Sequence, residues 1–160
     1  WTSRQLSPKN LEGLYNLPYT YRRTDLGLSF FHSAPIAPSG YFYVVFKDDA
    51  QAHLRMFDKL TPLSLLGHSH LVRAFRLHKG KAKEIQANKI RFEDDTKFLA
   101  SVGSVGQPRD RDPRGAVSYV DTDMGELHIH RFEYDRQATF DKIKEAGLEP
   151  RFGERLFTGS

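Results

Sequence analysis

Short apolar runs, some alternating with polar residues and each bounded by turn-forming residues, dominate the pattern of this chain. Such runs, flanked by Gly, Pro, Asp or Asn, are typical of strands. The predicted strands cover residues 19–23, 26–31, 63–66, 71–78, 83–92, 97–102, 116–121 and 126–134. Capping residues and helical spacing predict helices that begin after Ser7 and that span 48–58 and 136–146. We therefore expect a mixed α/β (α+β) fold and a single domain over residues 1–160.

The composition fits a globular protein segment and limits the classes of partner that it is expected to bind. The 160 residues are 39% hydrophobic with 12 Phe and 7 Tyr, which is enough for one core. The formal charge is +4, but the basic residues are scattered rather than gathered in one stripe, so a nucleic-acid partner is not expected. No apolar run approaches the roughly 20 residues of a membrane span, and no signal pattern opens the chain. We expect a cytoplasmic protein without membrane contact.

Two histidines one residue apart follow a buried strand. The apolar run 63–66 stops at Gly67 and is followed by His68 and His70. Glycine lets the backbone pass close to a ligand, and imidazole nitrogens bind borderline divalent ions such as zinc, iron or nickel. Because the chain has no cysteine, a transition-metal site must use His, Asp, Glu or Asn. The pattern is short, and two polar residues that merely begin a loop would produce it equally well.

The order of three segments makes the pattern specific. A strand runs into His32-Ser33-Ala34-Pro35, a second strand runs into the Gly-His-Ser-His segment at 67–70, and a loop at 103–109, Gly-Ser-Val-Gly-Gln-Pro-Arg, precedes a strand and a closing helix. This order resembles the calcineurin-like metallophosphoesterases. It is most similar to their small prokaryotic phosphodiesterase branch, over roughly residues 11–160.

The resemblance implies both a fold and an activity. The implied fold is a two-sheet sandwich flanked by helices, of which this chain supplies the second sheet and the closing helix. His32 and His68 would bind one metal of a dinuclear pair and His70 the other, with Mn, Fe, Zn or Ni as the ions. The implied activity is hydrolysis of phosphodiester or phosphomonoester bonds by a two-metal mechanism. No catalytic residue of the family is found here, and no residue is assigned to substrate binding.

The family's first half has no counterpart in the chain. Asp-x-His, Gly-Asp and Gly-Asn-His, which carry its carboxylate and amide ligands and its leaving-group histidine, are absent, and the chain begins at Trp1. We expect a C-terminal piece that binds one metal ion or none alone and is inactive without an N-terminal half. That half, or self-association, should cover an exposed apolar sheet face.

Other histidines are interpreted as structural. His128 and His130 alternate with Leu127 and Ile129, which puts both imidazoles on the face opposite the apolar one, where a solvated strand face explains them. His53 lies on or near the helix at 48–58 and is expected to be structural or exposed.

Two other classes of function stay open. The resemblance implies that the loop at 103–109 mainly shapes the sheet, although Arg109, Arg111 and Arg114 have the side-chain chemistry to bind a phosphate. A phosphoesterase-fold scaffold or binding module without chemistry would explain the missing acids. A nucleic-acid-binding piece would rest only on these arginines and a pI near 9.3.

Overall fold

The computed structural model describes residues 1–160 as five helices, nine strands and their connections. The helices are α1 (Thr2–Gln5), α2 (Pro8–Tyr15), α3 (Lys47–Ala52), α4 (Arg136–Glu145) and α5 (Arg151–Glu154). The strands are β1 (Thr20–Arg23), β2 (Leu28–Phe31), β3 (Leu63–Leu66), β4 (Val72–His78), β5 (Lys81–Ile85), β6 (Lys89–Arg91), β7 (Thr96–Val102), β8 (Gly115–Asp121) and β9 (Glu126–Phe132). Short 3₁₀ helices cover Thr24–Leu26, His53–Lys59 and Arg155–Phe157.

Side-chain caps start the helices where the sequence predicts them. The Ser7 hydroxyl accepts a hydrogen bond from the Asn10 amide at 3.2 Å, and Pro8 occupies the first helical position of α2. The Asp135 carboxylate accepts from the Ala138 amide at 2.8 Å and starts α4. Each cap satisfies an amide that has no partner inside its helix, so the boundary is encoded locally.

The helix predicted at 48–58 is shorter than its pattern suggests. The α-helix ends at Ala52, and the chain continues as 3₁₀ helix with a kink at Met56 (φ −124°, ψ 22°). The apolar spacing persists through this kink because the 3₁₀ residues still face the same core. The prediction was therefore wrong in helix type over the second half of the segment.

The strands form two sheets. The six-stranded sheet has the order β1-β2-β3-β7-β4-β5, and β3 lies parallel to both β2 and β7. The other contacts in that sheet are antiparallel. The three-stranded sheet has the order β6-β9-β8 and is antiparallel throughout.

One predicted strand is two strands in different sheets. The run at 83–92 divides into β5, which pairs with β4, and β6, which pairs with β9. The Asn88 carbonyl accepts a hydrogen bond from the Ile129 amide at 2.9 Å, which brings the crossing segment onto the three-stranded sheet. Both pieces are strands, so the residue pattern shows no break where the chain changes sheet.

Two apolar clusters cover the two faces of the six-stranded sheet. The first lies between the sheets and contains Leu28, Leu63, Leu65, Ala74, Ile90, Phe98, Ala100, Ala116, Leu127 and Ile129. The second lies on the opposite face, under α3, and contains Phe31, Ala34, Val44, Ala50, Leu60, Leu66, Phe75, Leu77, Ala82 and Leu99. The expected α/β architecture, a two-sheet sandwich with flanking helices, is confirmed, and residues 1–160 contain strands of both sheets rather than of the second sheet alone.

Several large apolar side chains stay outside this core. Helices α1 and α2 bury no residue, and Leu14 and Tyr15 are 53% and 80% exposed. On the outer face of the three-stranded sheet, Val117 and Tyr119 are also more than half exposed. None of the helices has both the length and the apolar character needed to cross a bilayer.

Burial predicts which face of the three-stranded sheet carries its stability. Replacing the fully buried Leu127 with Ala should lower the free energy of unfolding by about 2–5 kcal/mol, because a cavity forms between the sheets. The same truncation of Val117, on the outer face, should cost less than about 1 kcal/mol. Urea denaturation monitored by circular dichroism measures both. Equal losses would mean that the outer face is covered in solution.

Candidate metal centre

The parallel strands deliver two histidine segments to one edge of the six-stranded sheet. Phe31 at the end of β2 pairs with Leu66 at the end of β3, so the residues that follow leave the sheet together. His32 comes directly after β2, and Gly67 separates His68 from β3. A Cβ added to Gly67 would lie 3.3 Å from the His32 carbonyl oxygen. Glycine therefore suits this close approach of the two segments.

Imidazole and phenol rings cluster at this edge. The ring centroids of His32 and His68 are 4.9 Å apart. The Tyr43 ring stacks on His68 at 4.5 Å and 10°, and the Tyr41 ring lies 5.6 Å from His68 and 6.0 Å from His32. Aromatic packing therefore fixes the His68 ring on one side.

Backbone carbonyls orient two of the three predicted ligands. His68 Nε2 donates to the Tyr41 carbonyl at 3.1 Å, and His70 Nδ1 donates to the Gln107 carbonyl at 2.7 Å. A carbonyl partner fixes the tautomer and leaves the other ring nitrogen with a lone pair. His68 Nδ1 and His70 Nε2 are thus available to a metal, and this is the arrangement that metal-binding histidines usually show.

Three of the six non-glycine residues with positive φ lie at this edge. Tyr41, His68 and His70 have φ of 55°, 61° and 59°, in the left-handed region that non-glycine residues rarely occupy. Such residues cost about 1–3 kcal/mol each and tend to cluster at functional sites. The strain here accompanies the two carbonyl contacts that aim the imidazoles.

The surroundings of His68 favour its neutral form. Burial lowers the pKa of His68 below its ordinary value, and the nearby His32, His70 and Arg109 lower it further, while the hydrogen bond to Tyr41 acts in the opposite direction. A neutral imidazole is the form that binds metals. The lowered pKa therefore favours the form of His68 that can bind a cation.

The three histidines do not form a closed site among themselves. No three His, Asp or Glu side chains of the chain lie close enough together to hold one metal ion. His32 and His68 are adjacent, whereas His70 turns toward the loop that contains Gln107. The edge thus offers imidazole nitrogens without a carboxylate beside them.

The remaining histidines lie elsewhere. His128 and His130 project from the outer face of the three-stranded sheet and stack on Tyr119 at 4.9 Å and 5.5 Å. His128 Nε2 lies 3.0 Å from the Glu126 carboxylate and is half-buried, whereas His130 is exposed. His53 is buried, with Nδ1 donating to the Asp49 carbonyl at 2.8 Å, which agrees with a structural role.

Comparison with known proteins shows which solved structures share this architecture. No family model matches the chain. A crystal structure of a metallophosphoesterase from Sphaerobacter thermophilus superposes with a TM-score of 0.84 at 28% identity, covering 100% of this chain and 66% of that one. The chain has a calcineurin-like metallophosphoesterase fold.

Two further proteins are similar over almost the whole chain. The uncharacterized protein MJ0912 of Methanocaldococcus jannaschii is 31% identical over 167 residues, covering 99% of this chain and 63% of that protein. The hypothetical protein PH1004 of Pyrococcus horikoshii OT3 shares the fold with a TM-score of 0.71 at 18% identity, over 98% of this chain and 57% of its own. This chain therefore spans less than two thirds of the length of each of these proteins.

The loop at 103–114 packs beside the histidine edge and contacts His70. Gly103 has φ 82°, and an added Cβ would lie 2.7 Å from Ala116 Cβ and 2.8 Å from a Val72 methyl carbon, so a larger residue would not fit. The Arg109 amide donates to the His70 carbonyl at 3.2 Å, next to the contact between Gln107 and His70. The loop thus acts on His70 through its backbone.

The arginines of this loop differ in whether a carboxylate neutralises their charge. Arg114 binds both carboxylate oxygens of Asp112 at 2.9 Å and 2.7 Å. The Arg109 guanidinium contacts only the side chain of its neighbour Gln107, and Arg109 is exposed. Arg111 is exposed as well, but of the three candidate phosphate contacts it is Arg109 whose backbone bonds to His70.

Sequence reasoning missed Tyr41 and Tyr43. They follow the Pro-Ser-Gly turn at 38–40 and show neither periodicity nor a motif. The available signal was an aromatic run of three residues with no predicted strand or helix to bury it.

The paired carboxylate of Asp112 predicts a loss of stability in acid. Its hydrogen bonds with Arg114 lower the pKa of Asp112 to about 2. Because the folded pKa lies below the unfolded value of about 3.9, the stabilisation is present above pH 4 and is lost as pH falls toward 2. Asp112→Asn should remove about 1–2 kcal/mol at pH 6 and little at pH 2.

Thermal unfolding between pH 2 and pH 6 measures this difference. The matched control is Asp123→Asn, in the turn between β8 and β9, which should leave the pH profile unchanged. A wild-type profile retained by Asp112→Asn would show that this ion pair contributes no stability.

Proposed function

We propose that this chain carries part of the metal site of a phosphoesterase that hydrolyses phosphodiester or phosphomonoester bonds by a two-metal mechanism. The observation that carries the proposal is the orientation of His68 and His70 by backbone carbonyls, which leaves each with a free ring nitrogen at the edge where His32 also lies. Fe, Zn and Ni, and Mn with weaker affinity, suit such imidazole donors. The chemistry expected of the bound ions is polarisation of the phosphoryl group and activation of water.

The same edge lacks the acids that two dications require. Two dications a few ångströms apart repel strongly, and bridging carboxylates usually neutralise them. His32, His68 and His70 contribute no negative charge, and no carboxylate joins them. We propose that the complete site holds two ions and that this chain alone holds one or none.

The acids are proposed to come from outside this chain. Residues 1–160 would form a single domain, the C-terminal part of a metallophosphoesterase domain, and the acids would belong to an N-terminal half. The longer length of the similar proteins supports this division. The outer face of the three-stranded sheet, with Val117 and Tyr119 exposed, would pack against that half or against a second copy, as would the exposed Leu14 and Tyr15 of α2.

A scaffold without chemistry is the second candidate. It is favoured by the absence of any three metal-binding side chains that converge. Such a module would keep the phosphoesterase fold and bind a partner. A measurement of metal binding distinguishes this scaffold from the proposed enzyme, because only the enzyme requires a metal ion.

Metal binding should depend on one His-x-His pair and not on the other. His68→Ala should weaken Mn²⁺ binding by about tenfold or more, because it removes a donor whose tautomer is already fixed. The double variant His128→Gln/His130→Gln should leave it unchanged. Isothermal titration calorimetry with Mn²⁺ measures the affinity of both variants. Equal losses of affinity would contradict the assignment of metal binding to His68 rather than to His128 and His130.

Hydrolysis should require the acids from the N-terminal half. The 160-residue chain with Mn²⁺ should not hydrolyse an aryl phosphodiester such as bis(4-nitrophenyl) phosphate, and adding the N-terminal half of the protein, fused or in trans, should produce activity. Release of nitrophenolate measures it. Hydrolysis by the chain alone, abolished by His68→Ala, would show that its own carboxylates complete the site. No hydrolysis with both halves present would favour the scaffold.

A further inference from the structure

Tyrosine rings form one wall of the edge where the proposed metal ligands lie. Tyr43 stacks on His68, and Tyr41 packs within 6.0 Å of both His68 and His32, measured between ring centroids. The Tyr19 hydroxyl lies 3.3 Å from the Tyr41 hydroxyl, which extends the wall by a third ring. This wall, formed by Tyr19, Tyr41 and Tyr43, borders the imidazoles directly.

The wall is not part of the core. Tyr19, Tyr41 and Tyr43 are 48%, 53% and 48% exposed, although the same loop places Val44 in the buried cluster under α3. The chain therefore buries the aliphatic residue of this loop and leaves aromatic surface open beside the histidines. An open aromatic face next to a polar centre is suited to stacking with a planar group.

The backbone holds the wall in place. Tyr41 adopts the left-handed conformation, and its carbonyl accepts the hydrogen bond from His68 Nε2. A flexible surface loop would relax away from that conformation. Ring position and imidazole orientation are thus set by the same residue, so a group that stacks on the wall is aligned with the proposed metal ligands.

We propose that Tyr41 and Tyr43 are a stacking site for the aromatic group of a phosphate-ester substrate, either a nucleobase or a simple aryl group. This rests on the proposed phosphoesterase function and names its substrate class. The phosphate of such a substrate would lie at the histidine edge, near the free Arg109 guanidinium, while its planar group packs on the tyrosines. Tyr41 and Tyr43 are then residues that determine specificity, and no bond forms or breaks at them.

The test compares ligands that differ only in the aromatic group. Phenyl phosphate and cyclohexyl phosphate have similar size and the same charge, and AMP and ribose 5-phosphate differ by the base. Dissociation constants are measured by isothermal titration calorimetry of the chain with Mn²⁺ present. We expect phenyl phosphate to bind about five- to tenfold more tightly than cyclohexyl phosphate. A corresponding preference for AMP over ribose 5-phosphate identifies a nucleobase, and its absence identifies a simple aryl group.

Variants distinguish stacking from support of His68. Tyr41→Leu and Tyr43→Leu should reduce the phenyl preference to near one, whereas Tyr43→Phe should retain it. The control is Tyr119→Leu, which removes an equally exposed tyrosine that stacks on His128 and His130 elsewhere. Circular dichroism confirms that each variant is folded.

The outcomes separate this proposal from the metal proposal. Equal binding of phenyl and cyclohexyl phosphate, an aromatic preference that survives Tyr41→Leu and Tyr43→Leu, or no binding of either ligand would overturn the stacking site. A Mn²⁺ titration of the same samples shows whether the metal proposal fails with it. Intact Mn²⁺ binding with no aromatic preference would leave the metal proposal standing alone.

Discussion

The parallel pairing of β3 with both of its neighbours is the constraint on which the rest of the structure depends. Leu63, Ser64, Leu65 and Leu66 are all buried, as expected of a strand covered on both faces. Because β2 and β3 run in the same direction, the segments that follow them leave the sheet at one edge. An antiparallel β2 would put His32 at the opposite end of the sheet from His68. The position of the candidate metal centre is therefore determined first by the direction of the strands and then by its side chains.

Two loops without predicted secondary structure complete that edge through their backbones. The loop around Tyr41 presents a carbonyl to His68, and the loop around Gln107 presents one to His70. Each contact selects which ring nitrogen remains free. A hydrogen bond to a loop carbonyl thus determines which nitrogen of each imidazole can bind a metal, although neither loop contributes a metal-binding side chain. The loops supply orientation, and the strand ends supply position.

The strands and their capped helices were predictable because their signals are local. Ser7 and Asp135 act on amides three residues away, and the Leu63–Leu66 strand is bounded on both sides by residues that end it. The division of residues 83–92 between two sheets was not predictable, since both parts have the same strand pattern. The joint placement of His32 and His68 at one sheet edge followed from the order of motifs. The tyrosine wall did not, because the contact of Tyr43 with His68 joins residues that no repeat or spacing connects.

The order in which the chain assembles follows from the same topology. The β4–β5 hairpin closes through Lys79 and Gly80, both with positive φ, and such a local pair forms in about 1–10 μs. β3, in contrast, must find β2 and β7 across long intervening segments, and contacts of high sequence separation form slowly. The histidine edge is then among the last features to appear. A ligand that recognises it recognises only the finished fold, and would shift the folding equilibrium toward that state by mass action.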